Sequence, residues 1–471
     1  MADFKPALAR ELGLRDLVLF NIAAVVGIRW LAAAAHAGPD SIGLWLAAAL
    51  FFFVPSALAV SRLAAEFPEE GGIYAWTRNS FGDWHGFLCG WCYWLSNLFF
   101  FPNLILAGIG MAVYGLGASH AWLGDSRLFV VPMSLAVLWI GTITNLVGLR
   151  VGKWTQNAGG LATYAAGVVL VGLGIAVWVT HGPATPLHVL PRWNWGRINF
   201  WSQIAFAFGG LELGAVMGGE IRDPRRTVPR AAWISGLAIA AFYIAGTLAV
   251  LAVLKPGEVN IVSGLTQAAA AAGSRLGLPL VAPFVALLIT FGITGQLGAW
   301  LAGSARVPFA IGLDRYLPAA FARLHPRWKT PHVALLSQAA ACTVFLLAML
   351  LGEDLRTGYQ LLVDMTVVTY FIPFLYLFAT AARCKGIRGH SGLDARNPPP
   401  TASDRRVPRV PLRRLSAFAG FAVTAAAIAF SLVPPDRVAS VWRFEAKLAG
   451  GCLLLVAAGR MTFLRGRRAQ A

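Results

Sequence analysis

Apolar residues run in near-continuous blocks along almost the whole chain, from residue 17 to residue 463, with short polar segments between them. Block lengths lie close to the ~20 residues that a helix needs to cross a ~30 Å hydrocarbon core. Membrane barrels instead need ~10-residue strands that alternate apolar and polar positions, and these blocks are continuous. The pattern predicts about twelve helical spans, at 17–36, 42–65, 84–115, 128–148, 157–180, 199–220, 231–254, 280–311, 333–351, 358–382, 412–433 and 441–463. The expected fold class is an all-α integral membrane protein.

Two blocks break the pattern in the same way. Span 1 reads LVLFNIAAVVGIRWLAAAAHAG and carries Gly27-Ile28-Arg29 at mid-depth; span 6 carries Gly210-Leu211-Glu212 at a similar depth. Each is glycine, aliphatic, charge, with opposite signs. In a bilayer, helix breakers at depth are tolerated only where protein or a water-filled cavity satisfies the freed backbone groups. Spans 1 and 6 also open two successive blocks of five. Five is odd, so the second block enters the membrane from the opposite side. This predicts a 5+5 inverted-repeat core with broken helices 1 and 6, plus two extra helices.

In transporters built on that plan the broken helices form the substrate site near the midplane. Half-helix N-termini face anionic atoms and unwound carbonyls receive cations. An α-amino acid carries both charges. The candidate substrate-binding residues are therefore Val25, Val26, Gly27, Ile28, Arg29, Phe208, Gly209, Gly210 and Glu212, with Trp201 as a second aromatic on span 6. For Arg29 and Glu212 two readings stay open. They pair with each other or with another interior group such as Asp364, since an intramembrane charge costs ~2.5 to 3.5 kcal/mol on insertion scales. Alternatively at least one faces substrate or takes part in gating, a closed pair opening to receive carboxylate and ammonium. Asp364 in span 10 is a candidate proton carrier, Glu220 a candidate gate contact, and Ser304 lies where transporters of this plan can bind an ion. Gly292, Gly295, Gly298 and Gly303 in span 8 permit close helix approach.

Composition supports the membrane class. The chain is 57% apolar and 13% charged, against about 25% charged in soluble domains, with mean hydropathy +0.65. Its net charge of +18 is unevenly spread. Lys and Arg concentrate in alternate inter-span segments, which places both termini in the cytoplasm by the positive-inside rule. The expected division is a cytoplasmic N-terminus at 1–16, a ten-helix transport core at 17–382, a basic cytoplasmic loop at 383–411, two additional spans at 412–463 and a cytoplasmic tail at 464–471. The basic loop, with its stretch NPPPTASDRRVP, suits contact with anionic lipid of the bilayer and is not read as a nucleic-acid partner. Arg outnumbers Lys and Ala is abundant, which suggests a GC-rich bacterial source and an inner membrane.

Chemistry other than transport finds little purchase. Cys89-Gly90-Trp91-Cys92 copies a redox motif but sits inside an apolar span, and the eight His show no ligand spacing, so no metal is expected. GLRVGKW at 148–154 falls short of a phosphate loop, and no cofactor is implied. No paired acids or Ser/His set suggests an enzyme. The N-terminus lacks the layout of a cleaved signal.

Four stretches carry a family resemblance: LGLRDLVL at 12–19, EFPEEGGIYAWTRNSFG at 66–82, FGGLELGAVMGGEIRDPRRTVPRA at 208–231 and SARVPFAIGLDRYLPAAFARLHP at 304–326. The chain resembles the amino acid, polyamine and organocation (APC) transporter superfamily. EEGGIYAW, LPAAFA and SLVPPD at 431–436 lean toward its glutamate:γ-aminobutyrate antiporter branch. The resemblance implies alternating access without covalent chemistry. It also marks a departure: where the family commonly has Gly, small, Gly in span 1, this chain has Val25, Val26 and Gly27, then Arg29. A guanidinium offers a forked, charge-assisted pair to a carboxylate and so replaces what the missing glycines supply. Some proton-coupled relatives have a lysine in span 5 where this chain has Thr163, so their coupling arrangement does not carry over. The favoured function is secondary active transport of an amino acid or close derivative, by antiport with a counter-substrate or by proton symport. A non-transporting amino acid sensor or assembly subunit, and a polyamine or organic cation transporter, are the alternatives.

Overall fold

Backbone groups in hydrocarbon have to bond within their own segment or be shielded by protein, and every described apolar block is helical. The computed structural model describes residues 10–67, 71–186, 198–261, 263–352, 355–384, 410–432 and 441–470. In chain order the helices are α1 (Leu14–Val25), α2 (Arg29–Ala37), α3 (Ser41–Ala48), α4 (Val54–Glu66), α5 (Ile73–Phe81), α6 (Asp83–Gly115), α7 (Arg127–Leu146), α8 (Leu149–His181), α9 (Ile198–Ala207), α10 (Leu211–Val216), α11 (Pro224–Val253), α12 (Gly264–Leu276), α13 (Val281–Leu313), α14 (His332–Gly352), α15 (Leu355–Arg383), α16 (Val410–Ser431) and α17 (Val441–Arg468).

Among the described residues nine helices are long and apolar enough to cross a membrane, and the bent pair α1–α2 makes ten. The two other expected spans fall on α14, with an apolar stretch at His332–Leu347, and on the interrupted pair α9–α10. The protein is thus an all-α, multi-pass membrane protein. The expected loop at 383–411 lies almost wholly outside the described residues, as does 433–436 of SLVPPD.

Helix breakers within spans have local consequences. Pro55 has no N–H to give Phe51, and a π-helical turn at Ala49–Phe53 joins α3 to α4 there. Pro102 inside α6 likewise leaves the Leu98 carbonyl without its usual donor. Glycine serves close approach between α8 and α13, where a Cβ on Gly159 would lie 2.5 Å from the Gly295 Cα. α6, α8, α13 and α15 carry much of the interhelical packing and surround the two breaks, while α16 and α17 pack at the periphery against α15 and α6.

Candidate functional site

α1 stops at Val25, Val26 turns to φ −68°, ψ 94°, and α2 restarts at Arg29 with a 47° change of direction. Gly27 is required for room, because a Cβ there would lie 2.5 Å from the Trp30 ring. In span 6, α9 stops at Ala207 and Gly210 adopts φ 116°, a region that glycine enters without steric cost. Gly209 lies under Tyr370, whose ring would be 2.5 Å from an added Cβ. Both rods are therefore interrupted where the glycine-aliphatic-charge triplets fall.

Polar backbone atoms freed at the breaks are met by side chains of other helices. Tyr243 on α11 accepts the Gly27 N–H at 3.0 Å, and its oxygen lies 2.8 Å from Val25 O and 2.9 Å from Ala207 O. One hydroxyl thus ties the first break to the second. From α13, Trp300 Nε1 donates to Ala24 O at 2.7 Å and Gln296 Nε2 to the same oxygen at 2.9 Å. None of these three residues announces itself in the sequence, since a lone polar group in an apolar span has no partner within its own helix.

The two charges occupy different surroundings. Glu212 is fully buried; its Oε1 accepts from Tyr93 Oη at 3.0 Å and Tyr370 Oη at 2.7 Å, and its Oε2 from the Gly210 N–H at 3.1 Å. Arg29 donates from Nη1 to Asn103 Oδ1. Its guanidinium carbon lies 4.5 Å from the Trp30 ring centroid and 5.1 Å from that of Phe100, within cation–π range. Tyr93, Phe100 and Asn103 follow one another on a single face of α6. Asn103 lies ten positions beyond Tyr93, about 15 Å along the axis at the helical rise of 1.5 Å per residue. Hence the direct Arg29–Glu212 pair that one sequence reading entertained does not form: two tyrosines and a backbone amide hold the acid at one level of α6, and Asn103 meets the guanidinium at another.

Phe206 stands between the two clusters, its ring centroid 5.7 Å from Trp30, 6.2 Å from Phe100 and 5.0 Å from Tyr370. The sequence reading favoured Phe208 because it adjoins the break. Phe208 turns the other way, against Trp45 at 5.6 Å, Phe53 at 5.5 Å and Tyr243 at 5.4 Å. Trp201 lies away from both breaks, 5.8 Å from Phe430 of α16.

Glu220 sits just beyond α10 and takes two bonds of 2.9 Å from Arg306 of α13; both side chains are buried. Residues ahead of α1 close over this pair. The Glu11 and Leu12 N–H groups donate to Glu220 O at 3.0 Å each, the Arg222 N–H donates to Leu12 O at 2.9 Å, and Leu12 bridges Ile221. Ser304 Oγ donates to Trp300 O at 2.6 Å and accepts from Gln338 Nε2 at 2.7 Å, so its hydroxyl is already engaged. Thr163 on α8 is buried against Gly292, where a Cβ would collide with its hydroxyl. Asp364 is fully buried on α15, six residues before Tyr370. Cys89 and Cys92 are buried free thiols, and among the described residues no cluster of three or more His, Cys, Asp or Glu is placed to hold a metal.

Known proteins match nearly the whole chain. A family model described as amino acid permease matches residues 12–457. An uncharacterized transporter of Legionella pneumophila is 28% identical over 456 residues, 95% of each chain. An uncharacterized transporter of Mycobacterium tuberculosis is 31% identical over 338 residues, 70% of this chain and 72% of that one. A serine/threonine exchanger of Bacillus subtilis is 25% identical over 387 residues, 80% of this chain and 85% of that one.

Proposed function

The chain belongs to the amino acid permease family, and on that footing we propose that it carries an α-amino acid or close derivative across a bacterial inner membrane by alternating access. The observation that carries this reading is the meeting of two interrupted helices at one buried locus, with the Tyr243 hydroxyl bonded to backbone of both. In transporters of the inverted-repeat plan the junction of two interrupted helices near the midplane is where substrate binds. Arg29 is our candidate for the carboxylate. Phe206 and the Tyr93–Glu212–Tyr370 cluster lie where they would close over the bound solute. Exchange is the favoured mode, supported by the serine/threonine exchanger among the relatives; in a proton-coupled cycle we assign the proton to Asp364.

With both termini cytoplasmic, the buried Glu220–Arg306 pair and the Leu12–Ile221 contact form the inner seal. A ligand shifts a conformational equilibrium only by its differential affinity for the two states. Substrate binding and closure of the outer half must therefore offset the loss of this ion pair when the inner side opens.

A thermal-shift screen of purified protein against the L-amino acids and amines identifies ligands, since a ligand stabilises the state it binds. Reconstitution into liposomes then tests transport: saturable exchange of a labelled stabilising amino acid is expected. Stabilisation without flux, in vesicles where a control exchanger is active, would support a sensor instead.

A further inference from the structure

Two exposed arginines, Arg383 near the end of α15 and Arg460 on α17, are no part of the site described above. Midway along its length α17 lies against α15, where a Cβ on Gly451 would be 2.9 Å from the Met365 methyl carbon. It then crosses onto α6: Trp91 Nε1 donates to Leu455 O at 2.9 Å, and the ring centroids of Phe463 and Trp84 are 5.3 Å apart. α15 reaches the same first turns of α6 from another side, with Tyr376 Oη 2.9 Å from His85 Nδ1. Trp84 and His85 are consecutive, so their side chains leave the helix about 100° apart. The two helices therefore straddle the start of α6 and splay, with a notch between them.

Each wall of the notch carries a cation set on an aromatic ring of its floor. The guanidinium carbon of Arg383 lies 4.4 Å from the Phe81 ring centroid, and its Nη1 donates to Ser80 O at 3.4 Å. That of Arg460 lies 5.9 Å from the Trp84 ring centroid. Both distances are within cation–π reach. Tyr376, 5.9 Å from Phe81, completes the floor with His85, which is exposed. Among the described residues no carboxylate pairs with either arginine. The acids nearby are engaged elsewhere: Asp83 and Asp314 hold Arg78 at 2.9 and 2.6 Å, and Glu66 lies 3.8 Å from Arg62 and accepts from the Cys384 thiol at 2.9 Å. Arg62 in turn caps the Ala381 and Cys384 carbonyls at the end of α15, so Arg383 is not needed for that task.

Cations stacked on aromatic rings at the ends of spans match the level of lipid headgroups, where Trp and Tyr concentrate and where long arginine stems carry their charge. Basic pockets between spans at that level bind anionic heads. We propose that this notch seats the phosphate headgroup of an anionic phospholipid of the cytoplasmic leaflet, with Arg383 and Arg460 supplying the charge and Phe81 and Trp84 presenting it. The lipid then joins the ends of α15 and α17 across the start of α6. The choice of leaflet rests on the cytoplasmic placement of this end in the reading above; the site itself does not depend on which solute is carried.

The test uses full-length purified protein in a nonionic detergent at low salt, with phosphatidylglycerol or phosphatidylcholine of the same acyl chains added over a concentration series. The concentration giving half-maximal thermal stabilisation is measured for each lipid. In the wild type phosphatidylglycerol is expected to act at a concentration about fivefold or more below that of phosphatidylcholine, and added salt should narrow the gap. A basic residue near an anionic surface is worth about a fivefold change in binding. Arg383→Gln and Arg460→Gln should therefore each raise the phosphatidylglycerol midpoint about fivefold, and the double variant about 25-fold, with the phosphatidylcholine midpoint unchanged. The single variants serve if the double one does not fold. Arg275→Gln, an exposed arginine in the last turn of α12 at the opposite end of the spans, should match the wild type. Equal midpoints for the two lipids in the wild type, a preference that survives loss of both arginines, or an equal loss in Arg275→Gln would overturn the site. Micelles have no sides, so these results do not depend on orientation. Thiol labelling of a cysteine added at the C-terminus in intact cells reads that separately: labelling from outside would overturn the cytoplasmic placement and the leaflet with it, and leave the lipid site standing.

Discussion

Tyr243 Oη is a single atom serving backbone on both half-helix junctions. Tyr243→Phe keeps the ring stacked on Trp45, 4.4 Å between centroids, and removes only the oxygen. The Gly27 N–H is then a buried donor without its partner, at a cost of about 1–3 kcal/mol. A lower melting temperature together with slower exchange is expected, and a Tyr243→Phe protein that melts and exchanges like the wild type would contradict this role. Gly210→Ala should be at least as damaging, because the φ of 116° is strained for any residue with a Cβ; the check is the same pair of measurements. At this scale the sequence was legible where backbone chemistry spoke. The glycine-aliphatic-charge triplets located both breaks. Side-chain direction was not legible: Phe206 and Phe208 are two residues apart, and adjacency to a break does not say which ring faces across it. The tyrosines on Glu212 come from α6 and α15, 119 and 158 residues away, and no local pattern connects them.

Helices that move against one another need contacts that form in one arrangement and break in the other. Glu220 and Arg306 join the end of α10 to α13 through two 2.9 Å bonds at side-chain exposures of 5% and 2%. Removing one partner of such a pair leaves an uncompensated buried charge, at a cost of about 3–5 kcal/mol. Arg306→Ala should therefore speed hydrogen exchange across residues 11–25. The double variant Glu220→Gln, Arg306→Gln should be milder than Arg306→Ala, since it leaves no orphaned charge; a double variant that is worse would argue against an ion-pair latch. Span positions were readable from hydropathy because crossing hydrocarbon imposes length. Helices that do not cross were missed: α5 has nine residues and α12 thirteen, both too short to register as spans. α8 and α11 start earlier than their apolar blocks, at Leu149 and Pro224, because a helix continues into water beyond the hydrocarbon edge.

The end of the molecule that carries Glu220 is fastened by a second layer of contacts. Arg78 of α5 bonds Asp83 at 2.9 Å and Asp314 at 2.6 Å, and Tyr74 Oη donates to Asp314 at 2.6 Å. α17 reaches the same corner, with Phe463 stacked on Tyr316 at 5.0 Å and Gln470 donating to Asp314 O at 3.0 Å. Burial, and then the Asp314 carboxylate, push the Tyr74 hydroxyl well above the ordinary tyrosine range, and burial with Asp83 pushes Tyr316 up to about 12. A raised folded-state pKa means stability that is complete below the unfolded value near 10 and declines as pH rises above it. Melting temperature should thus fall with a steeper slope above pH 10 in the wild type than in Tyr74→Phe. Equal slopes would show that ionisation of Tyr74 does not carry this loss of stability.

At the level of the whole protein the proposed transport centres on one locus, where residues 24–30 and 206–213 come together at Tyr243. Hydrogen exchange with and without a saturating, stabilising amino acid reads that locus directly. The expected result is slowed exchange in both segments at once, with the change lost in Arg29→Gln at the same amino acid concentration. Protection confined to other parts of the chain, in protein that still exchanges the labelled amino acid, would place the substrate site elsewhere and contradict the account.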